Sequence, residues 1–147
     1  MPASLQRSED LAEFKRRIAG LEPDTRGLWG TMDAHQMLCH VSDQIRVALG
    51  DLPTKDRSSL FTRTVLPFLI IRLGMEPPKG KVKTAPEMKT TGATDWEADR
   101  EALYGLMDRM AVATETTRHP MFGLLSAETW GLLSARHLDY HLRQFGA

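Results

Sequence analysis

Ser126-Ala-Glu-Thr-Trp130-Gly-Leu-Leu-Ser-Ala135-Arg-His137-Leu-Asp-Tyr-His141-Leu-Arg-Gln-Phe-Gly146 closes the chain. This stretch opens with a serine able to cap a helix and ends at a glycine able to terminate one. The spacing predicts a helix between them. With His137 set at zero on a helical wheel, Trp130 lies at about +20°, His141 at about +40°, Phe145 at about +80°, Leu138 at about +100° and Leu133 at about −40°. Both histidines therefore fall within the apolar sector, which must face the interior of a bundle. Each inward imidazole brings two polar nitrogens into the core, at roughly 1–3 kcal/mol for any left unsatisfied. A pair at i and i+4 suits two ligands of one metal, and equally two core histidines bonded to neighbouring helices.

Upstream, apolar periodicity points to helices throughout. A first helix is expected over about Ser8 to Ala19, with Leu11, Phe14 and Ile18 inward and Ser8 as its cap. A second follows Thr31 and ends at Gly50, with Ala34, Met37, Leu38, Val41, Ile45 and Ala48 as its buried stripe. A third spans about Ser58 to Leu73. It is apolar on most faces, so it is expected to be well buried or to contact a second subunit, and Pro67 should kink it. Met75 to Gly92, with three prolines, two glycines and four lysines, reads as a long loop, either a lid or a mobile connection. Thr94-Asp-Trp-Glu97 reads as a capping box opening a helix whose core face is Leu103, Leu106, Met107, Met110 and Ala113. His119-Pro-Met-Phe-Gly123 reads as a turn in which His119 hydrogen-bonds locally. Nothing alternates with period two, so the fold class expected is all-α: a four-helix bundle with an additional short helix and a long loop between the third and fourth main helices.

The 147 residues fit a single domain spanning 1–147. Nineteen basic residues balance nineteen acidic ones, so the basic excess of a nucleic-acid binder is missing. Lys79, Lys81 and Lys83 sit among Pro77, Pro78 and Gly80 and read as a solvated loop. The longest apolar run, Val65 to Ile71, is far below the roughly 20 residues that span a bilayer. The first ten residues lack the apolar core of a signal peptide, and one cysteine, Cys39, allows no intrachain disulfide. A cytoplasmic location is the expectation. Cys39 lies about 100° round its helix from His40 and is read as a buried, inert thiol.

A third metal ligand would have to come from the second helix, which offers His35 and His40 near opposite edges of its apolar stripe. Periodicity does not choose between them.

Met32-Asp-Ala-His-Gln-Met-Leu-Cys-His40-Val-Ser-Asp43, followed much later by Trp130, His137 and His141, resembles the DinB-like (DinB/YfiT-like) metalloenzyme superfamily. The His119-Pro-Met-Phe-Gly123 turn and the closing Gln144-Phe145-Gly146 are similar to a bacterial subfamily of unknown function. The resemblance implies an up-and-down four-helix bundle, frequently a homodimer, with a metal triad of His40, His137 and His141. It makes Asp43 a candidate supporting acceptor and His35 a supporting or surface residue. Gln144, one turn beyond His141, is placed either to orient a ligand or to hydrogen-bond at the bundle end. Many relatives carry tryptophan eight residues before the first ligand, where this chain has Met32.

Three neutral imidazoles suit a divalent metal ion with an open coordination position. Zinc, nickel and iron all accept that ligand set. The resemblance then implies a metal-dependent enzyme, either a transferase using a low-molecular-weight thiol or a hydrolase acting on a small-molecule substrate. The alternative from another class is a non-catalytic helical dimerisation or scaffold module, with a structural metal or none.

Overall fold

The structure is a computed structural model describing residues 1–76, 78–79 and 84–147. Its elements are α1 (Ser8–Ala19), α2 (Ala34–Leu49), α3 (Leu60–Pro67) continued by a π-helical turn (Phe68–Arg72), a 3-10 turn (Pro86–Lys89), α4 (Trp96–Ala111) and α5 (Ala127–Gln144). Among the described residues there is no strand, only isolated bridges at Arg26–Asp33 and His119–Gly123. The all-α expectation holds.

Caps explain most of the boundaries. Asp33 opens α2 with a full capping box, its carboxylate accepting from the Gln36 amide while the Gln36 side chain accepts from the Asp33 amide. Gly50 closes α2 at φ 83°, a left-handed conformation that a side chain would strain. Ser126 caps α5 through Thr129 N. Two caps differ from expectation. Arg7, not Ser8, stands at the N-cap of α1 and makes no side-chain cap. At α4 the cap is Asp95, accepting from Ala98 N at 2.8 Å. Thr94 instead donates its backbone N–H to Asp99. Asp95 carries a charged acceptor one residue closer to the helix, and it wins the position.

Four helices make the bundle, and α1 and α2 each pack against both α4 and α5. The direction of each helix follows from which ends meet. Gln6 bonds Ala113 O while Tyr104 bonds Lys15 O, so α1 and α4 are antiparallel. Leu5 N bonds Gly131 O while Arg17 pairs with Asp139, so α1 and α5 run together. His35 meets Asp99 and Asp51 meets Arg109, which makes α2 and α4 parallel. Two successive bundle helices can be parallel only if the chain crosses back between them. The segment from 50 to 95, including α3, does this.

The core expectation is met closely. Ala34, Met37, Leu38, Val41, Ile45 and Ala48 are all buried, as are Phe14, Ile18, Leu103, Leu106, Met107 and Met110. Trp130 is fully buried, its indole N–H donating to Thr117 O at 2.8 Å. The third helix, expected to be well buried or to contact a second subunit, is not well buried. No residue of α3 itself is buried, and Leu60, Phe61, Val65 and Phe68 are 80, 56, 43 and 54% exposed. Helices α1, α2, α4 and α5 already close the core, which leaves α3 on its outside, and Pro67 ends its regular part. Proline supplies no amide for the helical ladder, and the backbone widens there into a π turn closed by Leu73 N bonding Phe68 O. The turn anchors the segment to the bundle through buried Ile71 and the Arg136 side chain bonding Ile71 O, with Leu66 of α3 and Ile70 packed partly buried beside it.

The Met75–Gly92 loop contains ordered structure beyond the sequence expectation. Its 3-10 turn packs on α2, with Met88 buried. Glu87 accepts from both terminal Arg57 guanidinium nitrogens and from Lys55 N, and these hydrogen bonds, the Arg57 ones foremost, draw its carboxyl down to about 2. Lys79 lies 4.2 Å over the Trp29 ring. Lys81 and Lys83 lie outside the described residues.

The His119 turn behaves as expected. His119 and Gly123 exchange backbone bonds, and His119 Nδ1 accepts from the amides of Met121 and Phe122. Its ring stacks on Phe122 with centroids 4.3 Å apart. Burial pushes the ring's pKa from 6.5 down to about 4. The unfolded chain therefore takes up this proton first. Stability from this residue is complete above pH 6.5 and lost as pH falls toward 4, by up to about 1.4 kcal/mol per pH unit for one proton. In urea titrations of metal-free protein, His119→Asn, which keeps an acceptor for the two amides, should show a shallower loss between pH 6.5 and 4. An unchanged slope would remove His119 from the acid response.

Candidate metal centre

His40 on α2 and His137 and His141 on α5 meet where these two helices pack antiparallel. Their ring centroids lie 4.8, 4.9 and 4.7 Å apart, and each pair of rings is close to perpendicular. One ligand nitrogen from each ring lies within 4.8 Å of the others. His40 and His141 are buried at 4 and 8% exposure, and His137 is partly exposed.

Two of the rings are held in one tautomer. His40 Nδ1 lies 2.7 Å from the Met88 carbonyl, which can only accept, so Nδ1 carries the proton and Nε2 keeps its lone pair. Gln144 fixes His141 by a longer chain of reasoning. Its Nε2 donates to Trp29 O at 2.7 Å, which leaves Oε1 as the acceptor of a proton on His141 Nδ1 at 2.8 Å. His141 Nε2 is then free as well. Gly30, at φ 79°, lets the chain pass this amide: a Cβ built there would stand 2.7 Å from Gln144 Nε2. Holding the far nitrogen of a ligand histidine by a carbonyl is the usual way a metal site orients its ligands.

The third ring is not satisfied. His137 Nε2 lies 3.0 Å from His40 Nε2, and its Nδ1 is buried without a partner. Burial lowers the pKa of all three rings: His137 well below 6.5, helped by the neighbouring rings, His141 to about 4, and His40 against the raising effect of the Met88 bond. Three neutral imidazoles with converging nitrogens form a donor set that fits a divalent cation. Tetrahedral zinc with bonds near 2.0–2.1 Å needs donor nitrogens roughly 3.3 Å apart, within small rotamer adjustments of this arrangement.

A family model described as "Protein of unknown function (DUF1569)" matches residues 3–147. The chain belongs to this DUF1569 family. No curated protein and no solved structure matches it.

In this DUF1569 protein the remaining candidate residues occupy different places. Gln144 bonds His141 directly. Asp43 does not touch His40. It is fully buried and accepts from Thr90 N at 3.1 Å, Thr91 N at 3.0 Å, the Thr91 hydroxyl and Arg46. Through these bonds it pins the segment whose Met88 carbonyl holds His40. His35 is turned away from the three rings, bonding Asp99 Oδ2 at 2.7 Å with Trp96 edge-on beside it. Sequence reading missed Met88 and Trp29 because both act through backbone carbonyls, which leave no side-chain signature. Cys39 is buried as expected, and desolvation raises its thiol to about 11. Two surface hollows, of 290 and 360 Å³, lie away from the three histidines, one at the end of α1 beside Phe145 and one beside Thr117–Pro120.

Proposed function

We propose that this chain is a DinB-like metal-dependent enzyme whose divalent ion is held by His40, His137 and His141. The observation that carries the reading is the convergence of three neutral imidazoles with two far nitrogens already locked by Met88 and Gln144. An ion bound by three protein ligands retains an open position, which supplies Lewis acidity to a water or thiolate. The chain's own contribution is to orient the rings, keep them unprotonated and close one side with the Met88 segment. The reaction proposed is transfer of a low-molecular-weight thiol or hydrolysis of a small substrate, with zinc, nickel or iron as the ion.

Metal-free, untagged protein loaded in turn with each ion should be screened for thiol transfer to an electrophile and for ester and amide hydrolysis. Activity that needs the ion and disappears in His137→Ala supports the enzyme. Metal uptake without activity in either screen leaves the scaffold reading ahead.

One observation favours a second copy of the chain as partner. The outer face of α3 exposes Leu60, Phe61, Val65 and Phe68, and Met121 and Leu124 are exposed in the turn that Arg63 reaches at Gly123. A contiguous apolar face of this kind marks an interaction surface. The proposal is a homodimer through α3. Light scattering should give twice the chain mass for wild type and the single mass for Phe61→Asp/Phe68→Asp. A monomeric wild type would defeat it.

A further inference from the structure

α2 carries a second group of metal-ligating side chains on the face opposite the three histidines' partner. His35 and Cys39 stand at i and i+4, one turn apart on the same side of the helix. Asp99, on α4, bonds His35 and lies near Cys39. One donor atom from each residue lies within 4.8 Å of the others. We infer that His35, Cys39 and Asp99 form a second divalent-metal site, taking a thiophilic ion such as zinc between the N-terminal halves of α2 and α4. It does not depend on the proposed function, since no ligand is shared and α4 replaces α5 as the partner helix.

The donor chemistry favours this over a simple ion pair. Without metal the Asp99 carboxylate accepts from His35 and stands beside the Cys39 thiol, so all three donors already converge on one point. Thiolate, imidazole and carboxylate are together a zinc ligand set, and three protein donors leave one position for water. Asp99 is already oriented, accepting from Thr94 N as well as from His35. An entry path exists: the His35 and Asp99 side chains are 14 and 19% exposed, while Cys39 lies at the floor with 2%. Widening the 2.7 Å His35–Asp99 contact to the roughly 3.3 Å required by a shared tetrahedral ion needs only side-chain rotation. Binding displaces the Cys39 proton to solvent as the metal–sulfur bond forms. The His35 Nε2 proton that Asp99 accepts leaves to solvent while Nδ1 takes one up, which frees the Nε2 lone pair for the metal.

Cobalt(II) titrated into reduced, metal-free, full-length protein separates the two sites. A Cys39 ligand produces a thiolate-to-cobalt charge-transfer band in the near ultraviolet, and a three-imidazole site cannot. Wild type and His137→Ala should both show the band at saturation, and Cys39→Ser should lack it. His35→Ala and Asp99→Asn should each weaken the band-forming binding at least tenfold, which keeps the test decisive if Cys39→Ser folds poorly. Absence of the band in wild type would overturn the site. Its persistence at full affinity in His35→Ala and Asp99→Asn would overturn it also, leaving a thiol that binds cobalt alone. Loss of the three-histidine ion with the band retained would count against the proposed function only.

Discussion

Replacing His137 by alanine in a Cys39→Ser background should take bound metal from about one ion per chain to none. Elemental analysis of dialysed protein reads this directly. The background removes the sulfur donor beside Asp99, so the remaining ion reports on His40, His137 and His141 alone. Loss of one of three protein ligands weakens binding by more than the 10- to 100-fold typical of an orienting residue. Stability sharpens the test. An ion present at about a thousand times its Kd stabilises the native state by roughly 4 kcal/mol. The Cys39→Ser background should gain on that scale when loaded, and the His137→Ala variant in it should gain almost nothing. Without metal the two should differ little. In the metal-free state His137 contributes a buried Nδ1 with no partner and an Nε2 facing another imidazole, so its removal relieves as much as it costs. A metal-free variant several kcal/mol less stable than the metal-free Cys39→Ser background would mean that His137 is a packing residue.

Asp43→Ala should lower stability by about 2–3 kcal/mol and metal affinity by roughly 10- to 100-fold, although Asp43 touches none of the histidines. The carboxylate is fully buried and accepts from two consecutive amides, a hydroxyl and Arg46. Without it the Thr90–Thr91 backbone loses its attachment to α2. The Met88 carbonyl would no longer hold the His40 proton on Nδ1, and the ring could turn. Hydrogen exchange should quicken over Met88–Thr91 while the centres of α2 and α5 stay protected. Asp43→Asn, which keeps one acceptor oxygen, should fall between the two. A variant that loses stability but keeps full metal affinity would separate the pin from the metal centre.

The helices were legible in the sequence because each is written in a local code. Apolar spacing, the Gly50 terminus and the Ser126 cap need only a few neighbouring residues to act. The same code put His137 and His141 on the inward face of α5. Resemblance to a known family, not periodicity, chose His40 over His35. The structure agrees with that choice for a reason the helical wheel could not supply: α2 faces α5 with one edge and α4 with the other. His40 therefore meets the α5 histidines, and His35 meets Asp99.

What only the tertiary structure decided depends on contacts between distant parts of the chain. Apolar residues on α3 look the same in sequence whether they face a core or solvent. Attachment along one edge only, at Leu66, Ile70 and Ile71, leaves the others outside. Met88 and Trp29 act through carbonyl groups that every residue possesses, so their roles exist only where the fold carries them to His40 and Gln144. Sequence alone determined an all-helical chain with two inward histidines one turn apart. Long-range packing, which no local period encodes, supplied the third ring and the groups that orient them.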